Sequence, residues 1–109
     1  MTEARVDLDL DTPALVVDAD RMRQNILRMA GIAASRGVAL RPHVKTHKIP
    51  SIARRQGEAG AAGITVAKVS EAEVMADGGL DDIFVAYPLV TASVAAMPGA
   101  IATTAAAEP

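Results

Sequence analysis

The sequence predicts an α/β fold with parallel strands, and two observations support this prediction. Short apolar runs alternate with stretches of helical spacing in the order strand, helix, strand, helix, strand, helix, strand, and the connections between them are short. This alternation is typical of βαβ units with right-handed crossovers. The chain has 109 residues, whereas a complete eight-unit barrel needs about 250. The pattern alone leaves open whether the strands form an open sheet or part of a (β/α) barrel.

The strands are predicted where short apolar, partly β-branched runs are bounded by Pro, Gly or Asp. The first run, which the chain enters through Thr12 and Pro13, is expected to be a buried strand. The four predicted strands cover residues 14–17, 38–46, 64–69 and 83–87.

The first helix is predicted from a change to helical spacing after Asp18. Asp18 or Asp20 can cap its start, and Gly37 can end it. Its apolar stripe is expected to comprise Met22, Ile26, Met29 and Ala33.

Two shorter helices are predicted from terminal signals. Pro50 suits the first turn of a helix that runs toward Gly60. Ser70 and Glu73 have the spacing of a capping box for a third helix, which Gly78 and the glycine after it would end.

Composition narrows the classes of function. The chain has 11 basic and 13 acidic residues and a net charge of −2, so no overall field favours nucleic acid or an anionic membrane. The absence of cysteine excludes disulfides, thiolate metal sites and a cysteine nucleophile. Residues 1–11 lack the apolar segment of a secretory signal, so a cytoplasmic location is expected. The uncharged stretch at 83–107 is rich in Ala and interrupted by Pro88 and Pro98, which argues against a membrane span.

The stretch R-P-H-V-K-T-H-K, which begins at Arg41, is the most informative, because a strand buried on both faces should be nearly all apolar. Crowded cations would favour the neutral amine of Lys45, a nucleophile that can form a Schiff base with a carbonyl. Reactive groups of α/β folds lie at the carboxyl ends of strands, where Lys45 and Tyr87 are predicted to lie. Period-two alternation would place four basic residues on one face: Arg41, His43, Lys45 and His47.

Other interpretations of this stretch stay open. Pro42 lacks a ladder donor, so a solvated basic loop fits the spacing as well as a strand does. His43 and His47 could share a metal on a helix, but Pro42 argues against a helix here. A nucleic-acid patch would need stacking aromatic residues, and none is nearby in the sequence. Tyr87 is also compatible with a strand end that has no function.

Several motifs together resemble the N-terminal part of D-threonine aldolases and eukaryotic-type D-serine dehydratases. They are D-T-P-A-L-V-V-D at 11–18, R-P-H-V-K-T-H-K, G-I-T-V-A at 63–67 with E-A-E at 71–73, and A-Y-P-L at 86–89. The resemblance covers roughly residues 9–90, and R-P-H-x-K-T-H-K is its specific element.

The resemblance implies part of an alanine-racemase-like TIM barrel of fold type III that binds pyridoxal 5'-phosphate (PLP). Residues 1–90 would be its N-terminal portion and residues 91–109 an Ala/Thr-rich tail without a predicted structure. Lys45 would be the catalytic residue that forms the Schiff base with PLP. The expected cofactor-binding residues are Lys45, Arg41, His43, His47 and Tyr87.

The implied function is that of a PLP-dependent lyase acting on D-β-hydroxy amino acids. It would resemble D-threonine aldolase or, alternatively, a deaminating D-serine dehydratase. A non-catalytic PLP-binding protein is a further alternative, and the R-P-H-x-K-T-H-K segment argues against it. The resemblance also implies a divalent metal, Mn or Zn, with ligands outside this chain. The expected partner is a small D-amino acid, with no nucleic acid or membrane partner, and full-length relatives are expected to be homodimers. The sequence after Val90 departs from the family pattern, so we expect the chain alone to be an inactive fragment.

Overall fold

Helices and short strands alternate along the chain, as the sequence predicts. The computed structural model describes residues 9–87 and, for the backbone alone, residues 101–103. The elements in these ranges are α1 (Ala19–Ser35), one 3₁₀ turn (Val44–Thr46), α2 (Pro50–Glu58), β1 (Ile64–Val66), α3 (Val69–Asp77), β2 (Ile83–Val85) and β3 (Ile101–Thr103).

The three strands form one parallel sheet in sequential order. Ile64 pairs with Ile83, and Ile83 in turn pairs with Ile101. The segment before α2 joins the outer edge of β1 through a single parallel bridge between His43 and Thr65. The predicted parallel and sequential arrangement is therefore confirmed.

The core lies between one face of the sheet and helices α2 and α3. Alternate residues of β1 and β2 are buried, while Thr65 and Phe84 on the opposite face are partly exposed. This alternation follows from the two-residue repeat of a strand. The buried core residues are Val44, Ala53, Ile64, Val66, Ala72, Met75, Ile83 and Val85.

Helix α1 begins and ends at the predicted signals. The Asp18 side chain accepts a hydrogen bond from the N–H of Arg21 at 3.1 Å, which makes Asp18 the N-cap. At the other end Gly37 has a φ of 65°, and the N–H of Val38 donates to the Ala33 carbonyl at 3.1 Å, as in a Schellman motif. The predicted apolar stripe is wrong at one position: Ala30 is buried, whereas Met29 is 53% exposed.

The predicted strand at 14–17 is not formed. These residues pair with no strand among the described residues, and Leu15 is 96% exposed. Apolar, β-branched composition favours a strand only where a neighbouring strand supplies hydrogen bonds and packing. The composition of this run therefore did not by itself determine its structure.

The predicted strand at 38–46 is also wrong in most of its length. Two backbone hydrogen bonds tie it to the chain around β1: Ala62 N–H to the Leu40 carbonyl and Thr65 N–H to the Pro42 carbonyl, each at 2.8 Å. Pro42 contributes no donor, and from Val44 the chain adopts the 3₁₀ turn. Only His43 is left as a bridge residue.

The remaining strands are shorter than predicted, and the predicted capping box is absent. β1 ends at Val66 and β2 at Val85. Helix α3 begins at Val69 with Lys68 as its N-cap and no side-chain capping bond, so the Ser70 to Glu73 spacing does not cap it. The helix ends at the predicted glycines.

Part of the sequence interpretation falls outside the described residues. Of the segment 91–109, only residues 101–103 are described, and they form β3, which the Ala/Thr-rich composition did not indicate. Residues 1–8, most of the region interpreted as lacking a secretory signal, also lie outside. Within the described part of the chain, no helix is both long and apolar enough to cross a membrane.

Candidate functional site

Lys45 lies at the carboxyl-terminal end of the segment that runs beside β1. The chain pairs with Thr65 at His43, turns through the 3₁₀ turn, and leaves Lys45 exposed while its neighbour Val44 is fully buried. No ion pair engages the Lys45 amine among residues 9–87. Functional groups of parallel α/β folds lie at this end of the sheet. The structure therefore presents an exposed lysine, without an ion pair to the described residues, at the expected edge.

His43 fixes the backbone of Lys45. Its Nδ1 accepts a hydrogen bond from the Lys45 N–H at 3.2 Å. A ring nitrogen that accepts carries no proton, so this bond assigns the hydrogen of His43 to Nε2. Because His43 pairs with Thr65, and Thr65 with Phe84, these three residues share the sheet face opposite α2 and α3.

His47 repeats this arrangement two residues after Lys45. Its Nδ1 accepts from the Ile49 N–H at 2.9 Å, and its Nε2 lies 3.2 Å from Oε1 of Gln56. The first bond assigns the ring hydrogen to Nε2, which donates to the Gln56 side chain on α2. Both ring nitrogens of His47 are thus used to hold the turn against α2.

Lys48 has a left-handed backbone between these two histidine contacts. Its φ is 60°, and its N–H donates to the Val44 carbonyl at 2.8 Å. A non-glycine residue in this conformation costs about 1–3 kcal/mol and persists where the surroundings determine it. The hydrogen bonds made by His47 provide such surroundings and hold the turn after Lys45.

Arg41 does not share a site with Lys45, which corrects the four-residue face predicted from alternation. The Arg41 Nη2 lies 2.8 Å from Oδ1 of Asp82, and Nη1 donates to the Ile64 carbonyl at 3.2 Å. Ile64 begins β1 and Asp82 directly precedes β2, so the guanidinium lies at the amino-terminal ends of the strands. The alternation fails because the extended backbone ends at His43 and the turn begins.

Tyr87 follows β2 by two residues and is exposed at the carboxyl-terminal edge, as expected from its position. No hydrogen bond joins Tyr87 to Lys45 among the described residues. The structure therefore places Tyr87 at the same edge of the sheet without bringing it into the turn that holds Lys45.

Glu71, which the sequence analysis noted only within the E-A-E motif, has a structural role that was not predicted. It is 7% exposed, and its Oε1 accepts a hydrogen bond from the Ala67 N–H at 3.2 Å, just after β1 ends. Together with Lys48, Lys68 and Ser70, Glu71 lines a cavity of about 250 Å³. The sequence signal for this contact was an acidic residue in the first turn of a helix that follows a strand. The capping-box interpretation assigned the role of the acidic residue to Glu73 instead.

The described residues suit covalent attachment of a carbonyl cofactor but not a metal. Lys45 supplies an amine that forms no ion pair with residues 9–87, and His43, which pairs with Thr65, holds the Lys45 backbone through Nδ1. No group of three or more His, Asp or Glu residues that could hold a metal ion occurs in the part of the chain that the structure describes.

The chain belongs to the family of the alanine racemase N-terminal domain, whose model matches residues 17–105. Among curated relatives, D-threo-3-hydroxyaspartate dehydratase of Delftia sp. (strain HT23) is 52% identical over 82 residues, which cover 75% of this chain and 22% of that protein. D-threonine aldolase of Arthrobacter sp is 42% identical over 93 residues, which cover 85% of this chain and 24% of that protein.

Solved structures give the same picture. D-threonine aldolase from Filomicrobium marinum superposes with a TM-score of 0.73 at 49% identity, covering 75% of this chain and 22% of that one. D-threo-3-hydroxyaspartate dehydratase from Delftia sp. HT23 has the same TM-score and identity and covers 76% of this chain. These findings confirm the predicted resemblance and the predicted partial (β/α) barrel. The chain spans less than a quarter of the length of these relatives.

Proposed function

We propose that this chain supplies the cofactor-holding lysine, Lys45, of a PLP-dependent lyase acting on D-β-hydroxy amino acids. The observation that supports this most directly is that Lys45, at the carboxyl-terminal edge of a parallel sheet and within the R-P-H-x-K-T-H-K segment, is exposed and forms no ion pair with residues 9–87. PLP, when bound, would act as the electron sink for a bond broken at the substrate Cα.

The residues around Lys45 would position its amine. His43 holds the Lys45 backbone, and its Nε2–H is available as a donor on the sheet face it shares with Thr65. His47 and Gln56 hold the end of the turn. In this proposal His47 holds the turn, and Arg41 binds groups at the amino-terminal end of the sheet. The residues proposed to lie nearest to the cofactor are Lys45, His43 and Tyr87.

The relatives' names support the substrate class. They include enzymes for D-threonine, 3-hydroxy-D-aspartate and D-serine, all of which are D-amino acids with a β-hydroxyl group. We propose an activity like that of D-threonine aldolase, with dehydratase chemistry as the alternative because the Delftia relative is named a dehydratase. The divalent metal, the cytoplasmic location and the homodimer remain predictions from the resemblance.

Covalent trapping tests the assignment. The chain is incubated with PLP, reduced with borohydride, digested and mapped by mass spectrometry, in parallel with Lys45→Ala, Lys48→Ala and Lys68→Ala. The three lysines of the chain provide an internal comparison. We expect the label on Lys45, retained in the Lys48 and Lys68 variants and lost in Lys45→Ala. Predominant label on Lys48 or Lys68 in the wild type would refute the assignment.

A further inference from the structure

Arg41 joins three polar groups at the amino-terminal end of the sheet. Its Nη2 forms an ion pair with Oδ1 of Asp82 at 2.8 Å, and its Nη1 donates to the carbonyls of Ile64 and Asp82 at 3.2 and 3.3 Å. The Arg41 side chain is 34% exposed and that of Asp82 54%. A planar guanidinium with several donors can hold such a set of acceptors in one geometry, which an ammonium group cannot.

Gly63 makes room for this arrangement. A Cβ at Gly63 would collide with Nη1 of Arg41 and would lie 2.7 Å from both Cγ and the carbonyl oxygen of Asp82. The backbone φ of Gly63 is not in the left-handed region. The requirement for glycine here is therefore close approach by Arg41 and Asp82. We call Arg41, Gly63 and Asp82 the arginine clamp.

The clamp acts on a segment that has few other hydrogen bonds to the described residues around β1. Within residues 9–87, the backbone hydrogen bonds accepted by Leu40 and Pro42 tie residues 38–43 to the chain around β1, and the Thr65 hydroxyl donates to the Arg41 carbonyl at 3.5 Å. Pro42 cannot donate a further one. A slip of one residue in pairing turns every side chain to the opposite face. Such a slip would move His43 off the face it shares with Thr65 and would displace the turn that carries Lys45.

We propose that the arginine clamp fixes the register of the Lys45 segment against β1 and β2, which makes Arg41 and Asp82 positioning residues for Lys45. The ion pair ties Arg41, four residues before Lys45, to the residue directly before β2. The two contacts of Nη1 with the main-chain carbonyls of Ile64 and Asp82 make the clamp sensitive to register. If the pairing slipped by one residue, Arg41 would be displaced along the strand direction relative to both carbonyls. The link to cofactor attachment rests on the proposed function.

Amide hydrogen exchange tests the register directly and without PLP. The amides of Ala62 and Thr65 donate to the Lys45 segment. In Asp82→Asn and in Gly63→Ala we expect the exchange of these two amides to accelerate about fivefold. This is the size of effect expected when a partly exposed Arg–carboxylate pair is lost. The matched control is Asp81→Asn, which removes a charge from the exposed neighbouring residue. Unchanged exchange in both clamp variants would overturn the proposal, whatever the chain does with PLP.

Lysine labelling tests the consequence for Lys45. Under conditions where circular dichroism shows each variant folded, the ratio of borohydride-trapped PLP on Lys45 to that on Lys48 and Lys68 is expected to fall about fivefold in Asp82→Asn. Asp18→Ala, which removes the N-cap of α1 away from the clamp and from the three lysines, controls for loss of stability and should leave the ratio unchanged. Accelerated exchange with an unchanged ratio would refute the positioning role. Equal labelling of all three lysines in the wild type would refute the proposed function and leave the exchange result to decide the clamp.

Discussion

The backbone N–H of Lys45 donates to Nδ1 of His43 across 3.2 Å, so the side chain that precedes the proposed cofactor-holding lysine by two residues also shapes its turn. His47 makes the corresponding contact with Ile49. The two histidines of the R-P-H-x-K-T-H-K segment therefore have a structural part in the turn on either side of Lys45. Basic charge alone does not explain their place in the motif.

Removal of the His43 acceptor should loosen the Lys45 turn. His43→Ala leaves the Lys45 N–H without its partner, and a net hydrogen bond is worth about 1 kcal/mol, so exchange of that amide should accelerate about fivefold. His43→Asn is the matched control, because an asparagine oxygen can accept from the N–H two residues on. Hydrogen exchange measured by NMR distinguishes the two. Equal exchange in the alanine and asparagine variants would show that Nδ1 does not hold the turn.

Loss of the Glu71 carboxylate should destabilise the fold. Glu71→Ala leaves the Ala67 N–H unsatisfied near a buried position, which should lower the free energy of unfolding by about 1–3 kcal/mol. Glu71→Gln keeps an oxygen acceptor and should cost less. Glu73→Ala, an exposed position on the same helix, should change it by no more than about 0.5 kcal/mol. Urea denaturation measures all three, and an equal effect of Glu71→Ala and Glu73→Ala would contradict the role of Glu71.

Two glycines of the first helical region should respond to alanine in opposite directions. Gly37 has a φ of 65°, so Gly37→Ala should destabilise the chain by about 1 kcal/mol. Gly31 lies inside α1 with open space around it, so Gly31→Ala should stabilise the chain by up to about 1 kcal/mol. Thermal unfolding gives both signs. A stabilising Gly37→Ala would contradict the Schellman end of α1.

The fold could be predicted to the extent that it depends on local pattern. Alternating apolar runs, the Asp18 cap and the glycine after α1 were each readable, because each acts within a few residues. The strand at 14–17 was not, since a strand requires a partner and the apolar run carries no information about whether one is present. β3 was missed for the complementary reason: its Ala/Thr composition is weakly apolar, and its pairing with β2 is tertiary.

The candidate site was predictable in its location but not in its internal contacts. The position of Lys45 followed from its place near the carboxyl end of the strand predicted at 38–46. The separation of Arg41 from Lys45 could not be predicted in this way. The two-residue alternation of a strand was assumed to continue to His47, whereas the chain begins a 3₁₀ turn at Val44. The pairs His47–Gln56 and Arg41–Asp82 join residues 9 and 41 positions apart in sequence, and charge or polarity alone does not specify such partners.

The 109-residue chain is expected to show no lyase activity by itself, even with PLP and Mn or Zn supplied. Turnover needs the cofactor aligned by groups from several barrel strands, and the described sheet has three. The chain is incubated with D-threonine or D-serine, and glycine, acetaldehyde and pyruvate are assayed. Turnover above that of free PLP which disappears in Lys45→Ala would show that the chain is a working enzyme.

The most direct test of the role of Lys45 is activity in a complete barrel. Residues 17–87 of this chain replace the matching segment of the Filomicrobium marinum D-threonine aldolase, which shares 49% identity with it. Cleavage of D-threonine is measured for this chimaera and for its Lys45→Ala and Lys48→Ala variants, each shown to be folded by circular dichroism. We predict that the chimaera is active, that Lys48→Ala keeps activity, and that Lys45→Ala abolishes it while the protein stays folded. A folded Lys45→Ala chimaera that still cleaves D-threonine would contradict the assignment of Lys45 as the cofactor-holding residue.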